Sequence, residues 1–299
     1  MTEGLEARVA TALARPVDPA VNAFAADLGV TRNALAVVFY GSNLRTGSLE
    51  GVLDFYVLLP GPVQGGIWPR VSYEERDMDG VTLRAKIATM TLDTFAAAAA
   101  GKTLDTTIWT RFVQPSALVY ARDQASRQAV VGAVCAAAQT GARVAVALGP
   151  PSASAEEYWR TLFRATYAAE FRVEKAGRED SILAVNREHF DGLLPLALVA
   201  QGIDFARGAH GTITPRLDQA RRQRLLRWWH RRRRVGRPYN LARLVKASTT
   251  FDGAAKYAAW KIERHTGIAV PLTPWRERHP VLAAPGVLWK LWRAKRGRA

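Results

Sequence analysis

Two segments of the chain carry residue types suited to phosphate chemistry. The first is Phe39-Tyr-Gly41-Ser42-Asn43-Leu44-Arg45, where a glycine and a serine close the apolar run Ala34 to Tyr40. The second is Leu53-Asp54-Phe55-Tyr56-Val57, an acid inside the apolar run Gly51 to Pro60. Glycine lets a backbone approach a phosphate closely, a serine hydroxyl and nearby amides can bond its oxygens, and a carboxylate can hold a Mg²⁺ ion bridging a triphosphate. An ionised Asp54 between Leu53 and Phe55 is costly to bury alone, and metal ligation relieves that cost. A Gly-Ser pair by itself marks many ordinary turns; the strand before it and the acid-bearing strand after it give it weight. The competing reading of Asp54 is a strand-end aspartate, solvated or paired with an arginine.

Both apolar runs have the character of buried strands, so Ser42 to Glu50 connects two of them. Further strands are expected at Val81 to Ala88 and Arg143 to Leu148, and helices at Leu92 to Ala100 and Gln124 to Thr140. The pattern breaks at Gly149-Pro-Pro-Ser-Ala-Ser154 and resumes as a helix, with Ser154 as cap and Glu157 three residues on. A domain boundary is placed there. The remainder has helical spacing with few strand signals, and no internal repeat is evident.

Composition narrows the classes. The 299 residues are 48% hydrophobic and 23% charged, as in an ordinary globular protein. The single cysteine, Cys135, leaves no disulfide partner and no cysteine-based zinc site within one chain. The start, Met1-Thr-Glu-Gly-Leu-Glu, lacks the basic and apolar parts of a secretory signal. The best apolar stretch, Leu193 to Ala200, contains Pro195 and falls short of the roughly 20 residues of a membrane span. The net charge of +16 calls for anionic partners: nucleic acid, nucleotides or acidic lipid. His189, His210, His230, His265 and His279 are scattered, with none paired at metal-ligand spacing on one helix.

The Gly41-Ser42 strand end followed by the Asp54 strand resembles the signature of polymerase-beta-type nucleotidyltransferases. Many members of that superfamily carry two acids with one residue between them on the second strand. Here Val52 and Tyr56 flank Asp54 at those positions, so a second ligand must come from elsewhere. A narrower resemblance, over roughly residues 35 to 265, is to the mitochondrial-type phosphatidate cytidylyltransferases. Tyr40-Gly41-Ser42 and Leu53-Asp54-Phe55 match, as does Tyr167-Ala-Ala-Glu170-Phe171-Arg172, with Glu170 where the family has aspartate. Arg84-Ala85-Lys86-Ile87 stands where the family has a basic Lys-Tyr-Gly motif. Leu244-Val-Lys246-Ala-Ser248 and Ala255-Lys256 are similar to its Val-Arg-x-Ser and Lys-Gly region, without the glycine.

The resemblance implies an α+β chain whose residues 1–150 are a polymerase-beta-type nucleotidyltransferase domain with a mixed sheet; the residue pattern adds a mainly helical domain over 151–284 and a basic amphipathic tail over 285–299. The resemblance also implies that Gly41 and Ser42, with Arg84 or Lys86 and with Lys256, hold the phosphates of CTP. Asp54 and Glu170 would hold Mg²⁺ as the catalytic carboxylates. Phosphatidic acid would attack the α-phosphorus, releasing pyrophosphate and leaving CDP-diacylglycerol.

Residues 221–237 hold nine arginines and no acid, with Trp228 and Trp229 among them. The tail repeats the theme with Leu288, Trp289, Leu291 and Trp292. Aromatic rings at headgroup level with guanidinium groups on lipid phosphate would dock the chain to an anionic membrane, peripherally on its cytoplasmic face. Nucleic-acid binding through the same residues stays open, as does a solvated face. The alternatives for the whole chain are a nucleotidyltransferase acting on another lipid, small molecule or protein, and an RNA-binding or scaffold protein on the same fold.

Overall fold

The computed structural model describes residues 4–67, 70–78, 80–170, 178–266, 269–278 and 286. Helices α1 (Leu5–Leu13) and α2 (Pro19–Thr31) precede β1 (Ala36–Tyr40), α3 (Ser42–Thr46), β2 (Leu53–Leu59), β3 (Arg70–Met78), β4 (Val81–Thr91), α4 (Leu92–Ala99), α5 (Thr107–Phe112), β5 (Ser116–Ala121) and α6 (Gln124–Leu148). Then come β6 (Ala153–Ser154), α7 (Ala155–Glu170), α8 (Arg178–Val185), α9 (Arg187–Phe190), α10 (Leu193–Val199), β7 (Phe205–Arg207) and β8 (Thr212–Pro215). The helices α11 (Gln219–Thr250), α12 (Ala254–Thr266) and α13 (Pro274–Arg278) are the last elements among the described residues. The tail expected from residue 285 lies outside the described residues, apart from Gly286.

The architecture is α+β with a mixed five-stranded sheet in the order β3-β4-β2-β1-β5. β1 runs antiparallel to β2 and β5, β2 runs parallel to β4, and β3 runs antiparallel to β4. Alternation along β2 sorts its side chains by face. Leu53, Phe55 and Val57 pack under α2 against Val21, Phe24 and Leu28. Tyr56 and Leu58 join the opposite, larger helical layer with Phe95, Phe112 and Trp159. Asp54, two residues before Tyr56, therefore lies on the helical side, as does Lys86, two before Ala88. The same hydrophobic cluster takes in residues from Leu5 to Trp229, so chain segments on both sides of residue 150 share one core.

One strand expectation is corrected. Arg143 to Leu148 is the last part of α6, a 25-residue helix ended by Gly149. Val144, Ala145, Val146 and Ala147 are all buried, and a run buried on every side loses the periodicity that separates helix from strand. The same helix corrects the reading that no stretch is long and apolar enough for a membrane span. Among the described residues α6 alone meets that length and composition, and 67% of its apolar window is buried in the protein. It is the core helix on which α4, α5, α7 and α10 pack. The strands β3 and β5 were not expected. Both lie at the sheet's edges, where β3 reads Arg-Val-Ser-Tyr-Glu-Glu-Arg-Asp-Met, a polar sequence an edge strand tolerates.

The basic helix also departs from expectation. Trp229 is 2% exposed and packs against Trp109, with ring centroids 6.4 Å apart. Trp228 lies under the Arg232 guanidinium at 3.6 Å. Neither tryptophan is free to sit among headgroups. Three arginines of the run tie α11 to carbonyls: Arg232 to Gly101 and Thr103, Arg222 to Ala147 and Gly149, Arg221 to Gln201 and Gly202. Buried carbonyls at helix ends need donors, and these guanidinium groups supply them.

Candidate active site at the β1–β2 corner

The sequence folds tightly where β1 ends. Gly41 has φ +96°, a region open to glycine, and it caps α3, whose first residue is the exposed Ser42. In the antiparallel ladder Tyr40 faces Asp54. A Cβ at position 41 would fall 2.9 Å from Asp54 Oδ2. Gly41 thus has two independent reasons to be glycine, and both direct open backbone at a carboxylate. Asn43 holds the corner in shape: it is 8% exposed and donates to the carbonyls of Ser48 and Glu50 at 2.8 and 2.7 Å. That fixes the loop leading into β2.

Parallel pairing of β2 with β4 sets Asp54 beside Lys86. Burial pushes the Asp54 carboxyl above its ordinary range, and the charges of Lys86 and Arg111 pull it back only in part. Burial likewise lowers Lys86, with Asp54 opposing the shift and Arg111, Lys261 and Arg243 adding to it. For this pair desolvation outweighs mutual attraction, so the site favours arrival of a counter-charge from outside. Arg111, from α5, donates to Tyr56 Oη at 2.7 Å and lies over the Tyr40 ring at 5.1 Å. Burial would lower its pKa, but Tyr40, Tyr56, Glu170 and Asp54 outweigh that and hold it protonated.

Glu170 ends α7 and is 4% exposed; its Oε1 accepts from Thr106 Oγ1 at 2.7 Å. Gly236 allows α11 to approach this helix end, since a Cβ there would meet the Ala169 carbonyl oxygen at 2.5 Å, and Asn240 donates to the Glu170 carbonyl at 2.9 Å. Phe171 and Arg172 lie outside the described residues. No other element adds an acid to make a protein cage: among the described residues no three histidine, cysteine, aspartate or glutamate side chains gather. Mg²⁺ usually takes one or two carboxylates, with substrate phosphates and waters filling its other positions. Asp54 beside the bare backbone of Gly41 fits that mode; Glu170 is linked to it through Arg111, on whose guanidinium both carboxylates act.

No protein-family model and no curated protein matches the chain.

The remaining expected residues separate. Arg84 pairs with Glu75 at 3.2 Å and lies 5.5 Å from the Trp260 ring, whereas Lys86 is the one opposite Asp54. Lys256 is exposed on α12; Lys261, one turn and a half further on, is the lysine whose charge reaches Lys86. The turn before α12 is stitched to β3, with Tyr73 N–H on the Asp252 carbonyl at 2.8 Å and Gly253 packed on the Tyr73 carbonyl. This brings α12 over the Lys86 end of the sheet. Arg111 and Arg243 were missed in the sequence. Arg111 was detectable as a lone charge in Thr-Ile-Trp-Thr-Arg-Phe-Val, and Arg243 is held at 3.2 Å from both oxygens of Asp105, itself 3% exposed.

Proposed function

We propose that this chain is a nucleotidyltransferase of the polymerase-beta type that moves CMP from CTP onto phosphatidic acid at a membrane surface. The apposition of Gly41 and Asp54 Oδ2 carries the reading: bare backbone and a half-buried carboxylate meet at one strand end, and the exposed Ser42 is the next residue along. Beside them Lys86 and Arg111 supply positive charge. CTP and phosphatidic acid enter on the sequence resemblance alone, whereas phosphate handling is supported by the residues themselves.

In this reading Gly41 and Ser42 bind triphosphate oxygens through backbone and hydroxyl. Asp54, with Glu170, would hold Mg²⁺, whose charge neutralises developing negative charge on the phosphates when bound. Lys86 and Arg111 orient the triphosphate. A phosphatidate oxygen forms a bond to the α-phosphorus while the bond from that phosphorus to the bridging oxygen breaks, and pyrophosphate leaves with the electron pair. The nucleophile is already an anion, so positioning and charge neutralisation carry the rate rather than a strong base.

Docking to the membrane is assigned to the arginine face of α11 rather than to its tryptophans. Arg224, Arg227, Arg231 and Arg234 are exposed at helical spacing on one face, and α11 contains no acid. Such a face is drawn to anionic headgroups and is screened by salt. Incubating the protein with each of the four labelled nucleoside triphosphates, Mg²⁺ and a panel of anionic lipids tests the assignment. Label on phosphatidate from CTP is the expected result; transfer from another nucleotide, or none, removes it.

A further inference from the structure

A cationic cavity of about 420 Å³ adjoins the corner, lined among others by Arg15, Arg45, Asn186, Arg187, Glu188 and His189. We propose that it is the seat of a phosphomonoester group, which in the reading above is the phosphate of the acceptor. The identification of that group as the acceptor rests on the proposed function; the cavity's preference for a phosphate does not.

Placement comes first. Arg45 follows Ser42 by three residues on α3, and Pro115, also in the lining, precedes Ser116, which pairs with Tyr40. The cavity therefore opens where β1 ends, on the β5 side, while Asp54 lies on the β2 side of the same strand. The two sites share α3 and are separated by β1. A transfer reaction needs two anionic substrates held side by side, with the attacking oxygen approaching opposite the leaving group.

The chemistry of the lining follows. Three arginines face one glutamate, and a planar guanidinium matches two phosphate oxygens at once. Burial lowers Arg15, a sign that its charge is incompletely compensated within the protein. Arg8, beside the cavity, donates to the Glu188 and Asp191 carbonyls at 2.7 and 2.9 Å, fixing the short helix α9 that carries Arg187 and His189. His189 bonds the Val113 carbonyl through Nε2 at 2.9 Å, so Nε2 carries the proton. Burial, with Arg15 and Arg8 adding, lowers it to about 4. His189 thus stays neutral around physiological pH, and the positive charge of the cavity is that of its arginines. Any pH dependence of binding then follows the second ionisation of the ligand, near pH ~6 for a phosphomonoester.

The test is calorimetric titration of the full chain with glycerol 3-phosphate and with inorganic phosphate, in the wild type and in Arg187→Gln and Arg15→Gln. Arg187 is exposed, so its variant folds even where the half-buried Arg15 variant does not. Binding of glycerol 3-phosphate that weakens by about tenfold or more in Arg187→Gln supports the seat, the size expected for a lost charge-assisted hydrogen bond. Equal binding of inorganic phosphate places recognition on the phosphate alone, and tighter binding of glycerol 3-phosphate adds the ester side; both support the proposal. Absence of binding to the wild type, or binding unchanged in both variants, overturns it. In a detergent assay the acceptor arm predicts a raised KM for phosphatidate in Arg187→Gln with KM for CTP unchanged. A wild type without any transfer refutes the proposed function and leaves the calorimetric result to decide the seat.

Discussion

Gly41 and Asp54 occupy each other's space: a Cβ on the first would stand 2.9 Å from Oδ2 of the second. The strand end that is read as a phosphate cradle and the acid read as a metal ligand are thus one packed unit.

Substituting Gly41 by alanine combines an unfavourable φ of +96° with that contact. A destabilisation of about 1–3 kcal/mol is expected from the backbone alone, together with displacement of the Asp54 carboxylate and loss of transfer. Urea unfolding and activity measured on the same preparation check this. A variant as stable and as active as the wild type would mean that the corner tolerates a side chain.

Asp54→Asn is expected to leave the thermal midpoint at pH 7 unchanged or modestly raised. Burial raises the folded pKa of Asp54, so folding favours its protonated form. Its charge costs stability above the folded pKa, and that cost is relieved as pH falls through the folded pKa towards the ordinary carboxylate value. The advantage of asparagine should therefore shrink on acidification. A midpoint several degrees below wild type at pH 7 would show that Lys86 and Arg111 stabilise the ionised acid outright.

Much of this corner was legible in the sequence. The apolar runs around Gly41 and Asp54 became β1 and β2, and the expected cap formed, with Glu157 N–H on Ser154 Oγ at 3.2 Å. What could not be read depended on pairing between distant segments. Nothing local to Lys86 marks it over Arg84; the parallel register of β2 with β4 does. Trp228 and Trp229 sit in so basic a run that a surface position was expected, yet α11 turns them onto Trp109 and leaves arginines outside. Helical spacing alone does not say which face is inward when both carry arginine.

Lys86→Met removes a charge that lowers the Asp54 pKa, so that pKa should rise further. Mg²⁺-dependent nucleotide binding should then begin to fail at a higher pH than in the wild type as the solution is acidified. Arg84→Met, which breaks a pair with Glu75, should leave the profile in place. Nucleotide titrations from neutral to acidic pH separate the two variants. Coincident profiles for Lys86→Met and wild type would take Lys86 out of the site.

Replacing Arg224, Arg227, Arg231 and Arg234 with glutamine should abolish sedimentation with anionic vesicles and leave stability within about ±0.5 kcal/mol per site. High salt should reproduce the loss in the wild type. Trp229→Ala should do the reverse, costing about 3–5 kcal/mol of stability for a buried tryptophan while the folded fraction still sediments. Retained vesicle binding in the arginine variant, or RNA competing vesicles away from the wild type, would move this face to another partner.

The most direct measurement follows label from α-phosphate-labelled CTP into detergent-solubilised phosphatidic acid, comparing wild type with folded Asp54→Asn. The wild type should form labelled CDP-diacylglycerol with one pyrophosphate released per transfer, dependent on Mg²⁺. Asp54→Asn should lose several orders of magnitude in kcat rather than shift KM. Equal rates from the two proteins, or no labelled lipid from the wild type, would contradict the assignment of nucleotidyl transfer to the Gly41–Asp54 corner.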